Sequence, residues 1–197
     1  MILPTGLHDV PKGHIAAVVT SLQMTSQAIV VSKPFPSGFK ATQETLDNSA
    51  YRALFREIGT PYLWTSRLLL DDDALHLIIS DARVETWIVR QDGAPIGLIE
   101  LDFRVRDECE LVFFGLVPSA TGQGLGGPMI ALAQSRAFAN EIKRFHVHTC
   151  TLDAPSALPF YQKAGFEAHK VDVEIFTDPR LMGTYPRSTA SHIPCLP

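Results

Sequence analysis

The chain has 197 residues, 46% hydrophobic and 19% charged, which excludes a disordered protein and leaves ample length to bury a core without disulfide or metal staples. Seventeen Lys and Arg against 21 Asp and Glu give a net charge of −4 with neutral histidines, which argues against a nucleic-acid partner, since that needs a basic surface. No apolar run approaches the ~18 residues of a membrane span, and Ile15 to Leu22, with Thr20 and Ser21 inside it and no basic leader, reads as a strand rather than a secretory segment.

In chain order, His14 to Met24 is β-branched enough for a strand, and Lys33 to Phe39 is a Pro/Gly connector. Residues 1–37 are therefore expected to be an N-terminal strand extension and linker. Phe39 to Gln43 is a short strand. A helix capped by Asp47 or Asn48 runs to Gly59 with Tyr51, Leu54, Phe55 and Ile58 inward, and a second opens at Asp71–Asp73 and reaches about Ser80. Three strands follow, over residues 85–90, 95–105 and 108–117, the first two joined by a turn at Asp92-Gly93. In the middle strand Leu101, Phe103 and Val105 alternate with Glu100, Asp102 and Arg104, which predicts one wet face. The third strand is apolar on both faces and should be central. A glycine-rich turn, Gly122 to Gly127, opens a helix to about Asn140. A strand over 144–151, a helix over 155–164 and a strand over 168–176 complete the pattern, and residues 177–197, with four prolines, read as a C-terminal tail over the surface. The order predicts a mixed α/β (α+β) sheet with helices on both faces.

The glycine turn carries the first chemical signal. Four glycines in six residues, between a buried strand and a helix, let main chain approach a ligand closely, and the first helical turn leaves N–H groups unpaired. Together these suit a phosphate or pyrophosphate. Gly127 is followed by Pro128 and Met129, not by Lys and Ser or Thr, so a P-loop is excluded. Gly122 to Gly127 also matches Gly-x-Gly-x-x-Gly, but a dinucleotide fold needs an acid ~20 residues on and further βαβ units. Asp153 lies too far along, and a dinucleotide-binding protein stays only as an alternative.

Three motifs in order resemble the GNAT superfamily of acetyl-CoA-dependent N-acetyltransferases, within a bacterial subgroup of unassigned substrate. These are the strand Glu110 to Val117, the turn Thr121-Gly-Gln-Gly-Leu-Gly126, and Leu158-Pro-Phe-Tyr-Gln-Lys-Ala-Gly-Phe166. Subgroup likeness rests on the leading strand, His148 to Leu158 and the Asp178-Pro-Arg-Leu tail. The resemblance covers residues 38–176 and implies a splayed sheet with acetyl-CoA between strands 110–117 and 144–151. The pantetheine arm would pair with main chain near Leu116 and Val117. The pyrophosphate would lie on Thr121, Gly122, Gln123, Gly124, Leu125, Gly126 and Gly127, with Asp153 also placed on the cofactor side. The family usually has Arg or Gln where Thr121 stands, and no Lys or Arg occurs between Arg106 and Arg136. Main-chain N–H groups and the helix dipole would then carry the phosphates, at a cost of about 1 kcal/mol or more from the missing charged contact.

Acetyl transfer from a thioester to an amine needs a base for the ammonium, a donor for the oxyanion and an acid for the thiolate. Glu110 falls where several family members place the base, directly or through water, and burial at the strand start should raise its pKa. A solvent pair with Arg104 or Arg106 is the plainer reading. Tyr161 matches the family's acid: a phenol near pKa ~10 stays protonated while it serves a thiolate near ~8.5. The Leu116 N–H is the oxyanion donor by resemblance, and Asp153 is expected to cap the helix that presents Tyr161. Tyr62, Trp64 and Arg67 follow the first helix, where the family builds its acceptor pocket. They could grip an amine bearing a carboxylate, or equally form a hydrophobic plug and a surface ion pair. His146 and His148 share a strand face, but no third ligand has metal spacing, so no metal is expected. Cys109, Cys150 and Cys195 are odd in number and in no metal pattern, consistent with a reducing, cytoplasmic setting.

The expectation is a direct acetyl transfer to a small-molecule or peptide amine, with no nucleic-acid or membrane partner, and with the added strand and tail available to a homodimer. The competing class is a non-catalytic acyl-CoA-binding sensor or interaction module, supported by Thr121.

Overall fold

A computed structural model describes residues 3–25 and 33–197; residues 1–2 and 26–32, part of the expected extension and linker, lie outside the described residues. Seven strands form one mixed sheet: β1 (His14–Met24), β2 (Phe39–Gln43), β3 (Val84–Gln91), β4 (Ala94–Asp102), β5 (Glu108–Leu116), β6 (Arg144–Cys150) and β7 (Glu167–Thr177). Their spatial order is β2-β3-β4-β5-β6-β1-β7, and β5 with β6 is the one parallel pair among the described residues. Four helices, α1 (Asn48–Gly59), α2 (Asp72–Ile79), α3 (Gly126–Ala139) and α4 (Ala157–Lys163), cover the two faces. Phe113 meets Phe55 of α1, while its neighbour Phe114 meets Phe160 and Tyr161 of α4, as alternation along a strand demands.

Local chemistry sets the ends of these elements. The Asp47 carboxylate accepts from the Ala50 N–H and Asp71 from Ala74, so each helix starts on an acid that satisfies one of its open donors. Tyr51, Leu54, Phe55 and Ile58 then lie buried on one face of α1, each large apolar side chain contributing about 1.5–3 kcal/mol. Asp92 (φ 49°) and Gly93 (φ 89°) both take left-handed backbone, the two-residue turn that matches the twist of β3 and β4. At Gly115 a Cβ would stand 2.5 Å from Ile58 Cγ2, so glycine here lets α1 lie close on β5.

Two sequence expectations for β4 fail together. The strand ends at Asp102, not at residue 105, because the Asp102 carboxylate accepts from the Arg104 N–H and guanidinium and turns the chain. Its alternating charges also do not mark a wet face. Glu100 is fully buried, accepting from Arg67 Nη2 at 2.7 Å and from the Tyr51 hydroxyl. A buried carboxylate persists there because both its oxygens are satisfied.

β1, the expected added strand, is paired along both edges, with β6 on one side and β7 on the other. The tail is packed as well. Arg180 and Asp178 are both buried and ion-paired at 2.7 Å, and Arg180 also donates to the carbonyls of Thr189, Ala190, Ile193 and Pro194. Tyr185, also buried, donates its hydroxyl to the Trp64 carbonyl, so the tail braces the loop after α1.

Candidate active site

β5 and β6 pair only at Glu108↔Arg144, Cys109↔Phe145 and Glu110↔His146, and then part. Across β5 the register to β4 slips from Glu100↔Phe113 to Leu101↔Leu111, which leaves Val112 as an extra residue and bends the strand away from β6. The Val117 N–H donates to the Ile96 carbonyl on β4. Of the two expected pantetheine contacts, Val117 thus has its amide turned away; by antiparallel alternation, Leu116 has its main-chain groups toward the opening.

Beyond β5 the chain makes a single-turn 3-10 helix (Pro118–Ala120) and enters the glycine turn. Gly122 (φ 76°) and Gly124 (φ 78°) hold backbone that L side chains avoid. Among the described residues, none of the N–H groups from Gly122 to Gly127 has a hydrogen-bond partner, and no side chain caps α3. Pro128 adds no open donor in that first turn. The side chains at the expected phosphate positions turn inward: the Thr121 hydroxyl donates to Pro118 O and the Gln123 amide to Ser119 O. A run of free amides at the positive end of a helix fits a pyrophosphate. One cation is there too. A Cβ placed at Gly127 would stand 3.6 Å from Lys33 Nζ, so Lys33 reaches the turn from the connector before β2. No spacing rule within residues 106–136 could have found it. Replacing Lys33 with Ala should raise the Kd for coenzyme A about three- to ten-fold and flatten its salt dependence, as titration calorimetry at two ionic strengths would show.

On the other side of the opening lies a cavity of about 470 Å³, walled by the Tyr62–Ser66 loop, Val112 and Phe113, the end of β6, and Glu174 and Phe176 of β7. Tyr62 and Trp64 both line it. Arg67 does not. It lies half-buried, paired with the fully buried Glu100, with its guanidinium carbon 5.0 Å from the centre of the Phe113 ring. Asp153 does not cap α4 either, which has no side-chain cap. Its carboxylate accepts from Trp64 Nε1 (3.2 Å), the Thr149 hydroxyl (2.7 Å) and the Cys150 N–H (2.9 Å), and so ties the end of β6 to the indole on the cavity wall.

His148 also lines the cavity, and its Nδ1 is 3.5 Å from Glu110 Oε1. The imidazole holds the Glu110 carboxyl below the usual carboxylate range, outweighing the burial that pushes it up. The expectation that burial would raise Glu110 is thus reversed by its neighbour. Glu110 in turn raises His148. From the sequence His148 reads as a possible metal ligand and a neighbour of Cys150, not as a base. Its pairing with Glu110 depends on the parallel register of β5 and β6, which no local pattern encodes. Among the described residues no group of three or more His, Cys, Asp or Glu could hold a metal ion.

Tyr161 is buried against Phe114, Phe160 and Phe166. Burial pushes its phenol well above the ordinary value. Among the described residues its hydroxyl has no hydrogen-bond partner. Burial also raises the thiols of Cys109 and Cys150.

The parted strands and the open turn beyond them form one continuous site, and comparison with known proteins places the fold. The sequence model of the Acetyltransferase (GNAT) family matches residues 47–166, more than half of the chain, and the chain belongs to that family. No curated protein sequence matches it. Solved structures share the fold. A functionally unknown conserved protein from Staphylococcus epidermidis is 13% identical, with a TM-score of 0.63 over 84% of this chain and 63% of the other. A GCN5-related N-acetyltransferase from Kribbella flavida is 20% identical, with a TM-score of 0.57 over 87% of this chain and 63% of the other. The PaiA N-acetyltransferase of Thermoplasma acidophilum, solved in complex with coenzyme A, is 16% identical, with a TM-score of 0.50 over 70% of this chain and 99% of the other. The chain thus spans less than two thirds of the length of the first two. No helix among the described residues is long and apolar enough to cross a membrane.

Proposed function

We propose that this chain transfers the acetyl group of acetyl-CoA to a primary amine by direct attack within a ternary complex. One observation carries the reading: β5 walls a cavity lined by His148, whose imidazole pairs with Glu110 on that strand, and runs on through one 3-10 turn into a stretch of unpaired amides. When bound, acetyl-CoA supplies the acetyl group as an activated thioester. The amides of Gly122 to Gly127, with Lys33 beside them, would hold its phosphates, and Leu116 would pair with the arm. The Leu116 N–H then donates to the carbonyl oxygen as negative charge builds there. His148, oriented by Glu110, accepts the proton of the incoming ammonium. As the C–N bond forms and the C–S bond breaks, Tyr161, kept protonated by burial, would give its proton to the departing sulfur, and the second proton shed by the amine nitrogen would restore the phenol by way of solvent. The raised Cys109 and Cys150 thiols are poor nucleophiles at neutral pH, which supports transfer without a covalent enzyme intermediate. The non-catalytic sensor reading loses its main support, since Lys33 offers the cation that Thr121 does not.

The test is thiol release from acetyl-CoA against an amine panel, run as a pH series. A base must be unprotonated, so kcat/KM should rise with pH through the raised His148 value. In Glu110→Gln that support is gone and the rising limb should move to lower pH, with activity retained. His148→Gln should lose about 10²-fold or more at every pH. Loss of all activity in Glu110→Gln, with His148→Gln active, would make the carboxylate itself the base.

A further inference from the structure

We infer that the acceptor is a primary amine on an apolar, aromatic or branched body that carries no carboxylate. The inference rests on the acetyltransferase reading above and adds the substrate's chemistry. The cavity presents aromatic or apolar surface at Tyr62, Trp64, Leu69, Phe113, Phe176 and Met182. Such a wall rewards an apolar body, and its rings attract a cation on their faces. Its carboxylate and imidazole side chains are Asp153, Glu174 and His148, with Glu110 behind His148, and Tyr62 and Cys150 add a phenol and a thiol. Among the described residues no Lys or Arg lines it. Arg67, expected from the sequence to be able to grip a carboxylate, is paired with Glu100 instead.

The two lining carboxylates differ. Asp153 already accepts three hydrogen bonds from Trp64, Thr149 and Cys150, and so serves the wall. Glu174, exposed on β7 and lining the same cavity, has no ion-pair partner among the described residues, and its charge acts on His148. An amine is drawn in by this field. A carboxylate on the same molecule would meet like charge with no counter-ion to receive it, so the site selects against amino acids by repulsion as well as by fit.

The experiment pairs amines that differ only in the carboxylate: phenethylamine against phenylalanine and tyramine against tyrosine, with putrescine as a hydrophilic amine, each at fixed acetyl-CoA with thiol release as readout. Phenethylamine should exceed phenylalanine by at least ten-fold in kcat/KM and should exceed putrescine. Glu174→Lys should shrink the phenethylamine-to-phenylalanine ratio several-fold, whereas Glu167→Lys, the same charge change at the exposed start of β7, should leave it unchanged. Equal use of phenylalanine, preference for putrescine, or an unchanged ratio in Glu174→Lys overturns the inference. If acetyl-CoA gives no heat in calorimetry, the acetyltransferase reading falls and this inference with it. If acetyl-CoA binds but no amine in the panel reacts, calorimetry of phenethylamine and phenylalanine decides. Tighter binding of the amine supports the inference; equal or absent binding overturns it.

Discussion

Tyr161→Phe should lower kcat by about 10²–10⁴-fold, the range of a lost general acid, while coenzyme A binds as before. The substitution is well suited to the question. The ring packs among Phe114, Phe160 and Phe166, all of which a phenylalanine would still meet. The hydroxyl has no hydrogen-bond partner among the described residues, so its removal strands no buried group. Fold and cofactor affinity therefore stay, and only proton delivery to the sulfur is withdrawn. Thiol release measures the loss and calorimetry the retained affinity. Because burial raises this phenol, no falling limb from it is expected near neutral pH in the wild type. A variant with unchanged kcat would remove Tyr161 from the chemistry and leave it a packing residue.

Arg67→Met should destabilise the fold by about 3–5 kcal/mol, the cost of leaving one partner of a buried pair alone. Glu100 has no exposed surface, and its oxygens are held by Arg67 and Tyr51 alone among the described side chains. Urea denaturation would show the loss as a lower midpoint at unchanged slope. The double variant Arg67→Met, Glu100→Gln should recover most of it, since the amide carries no charge and still accepts from Tyr51. Should Arg67→Met instead keep its stability and lose only affinity for carboxylated amines, Arg67 would belong to the acceptor site after all.

What could be read from the sequence was what neighbours in the chain decide. The Asp47 and Asp71 caps, the Asp92-Gly93 turn and the glycine turn before α3 all act within four residues of themselves, and all stand where their chemistry put them. The features that escaped depend on partners far along the chain. Glu100 looked solvated because a charge every second residue reads as a wet face; Arg67 and Tyr51, 33 and 49 residues away, make it internal. Glu110 was legible as a buried acid, but the direction of its pKa depends on His148 across the β5–β6 pair. Lys33 was one lysine in a proline-rich connector until the fold set it against Gly127. Asp153 sits one turn ahead of a helix, where capping is the usual inference, yet it turns back to Thr149, Cys150 and Trp64.

The place of β1 governs how this chain can be cut and how it folds. Among the described residues β7 has β1 as its sole strand neighbour. A fragment trimmed to the stretch that matches the family, residues 47–166, would lack both strands, and one begun at residue 38 would leave β7 with no ladder to join. The cavity wall bearing Glu174 and Phe176 would go with it. During synthesis the first strand must wait for nearly the whole chain to emerge before its outer edge is covered. Closing that long loop is slow, and until it closes an open, apolar edge is exposed to other chains.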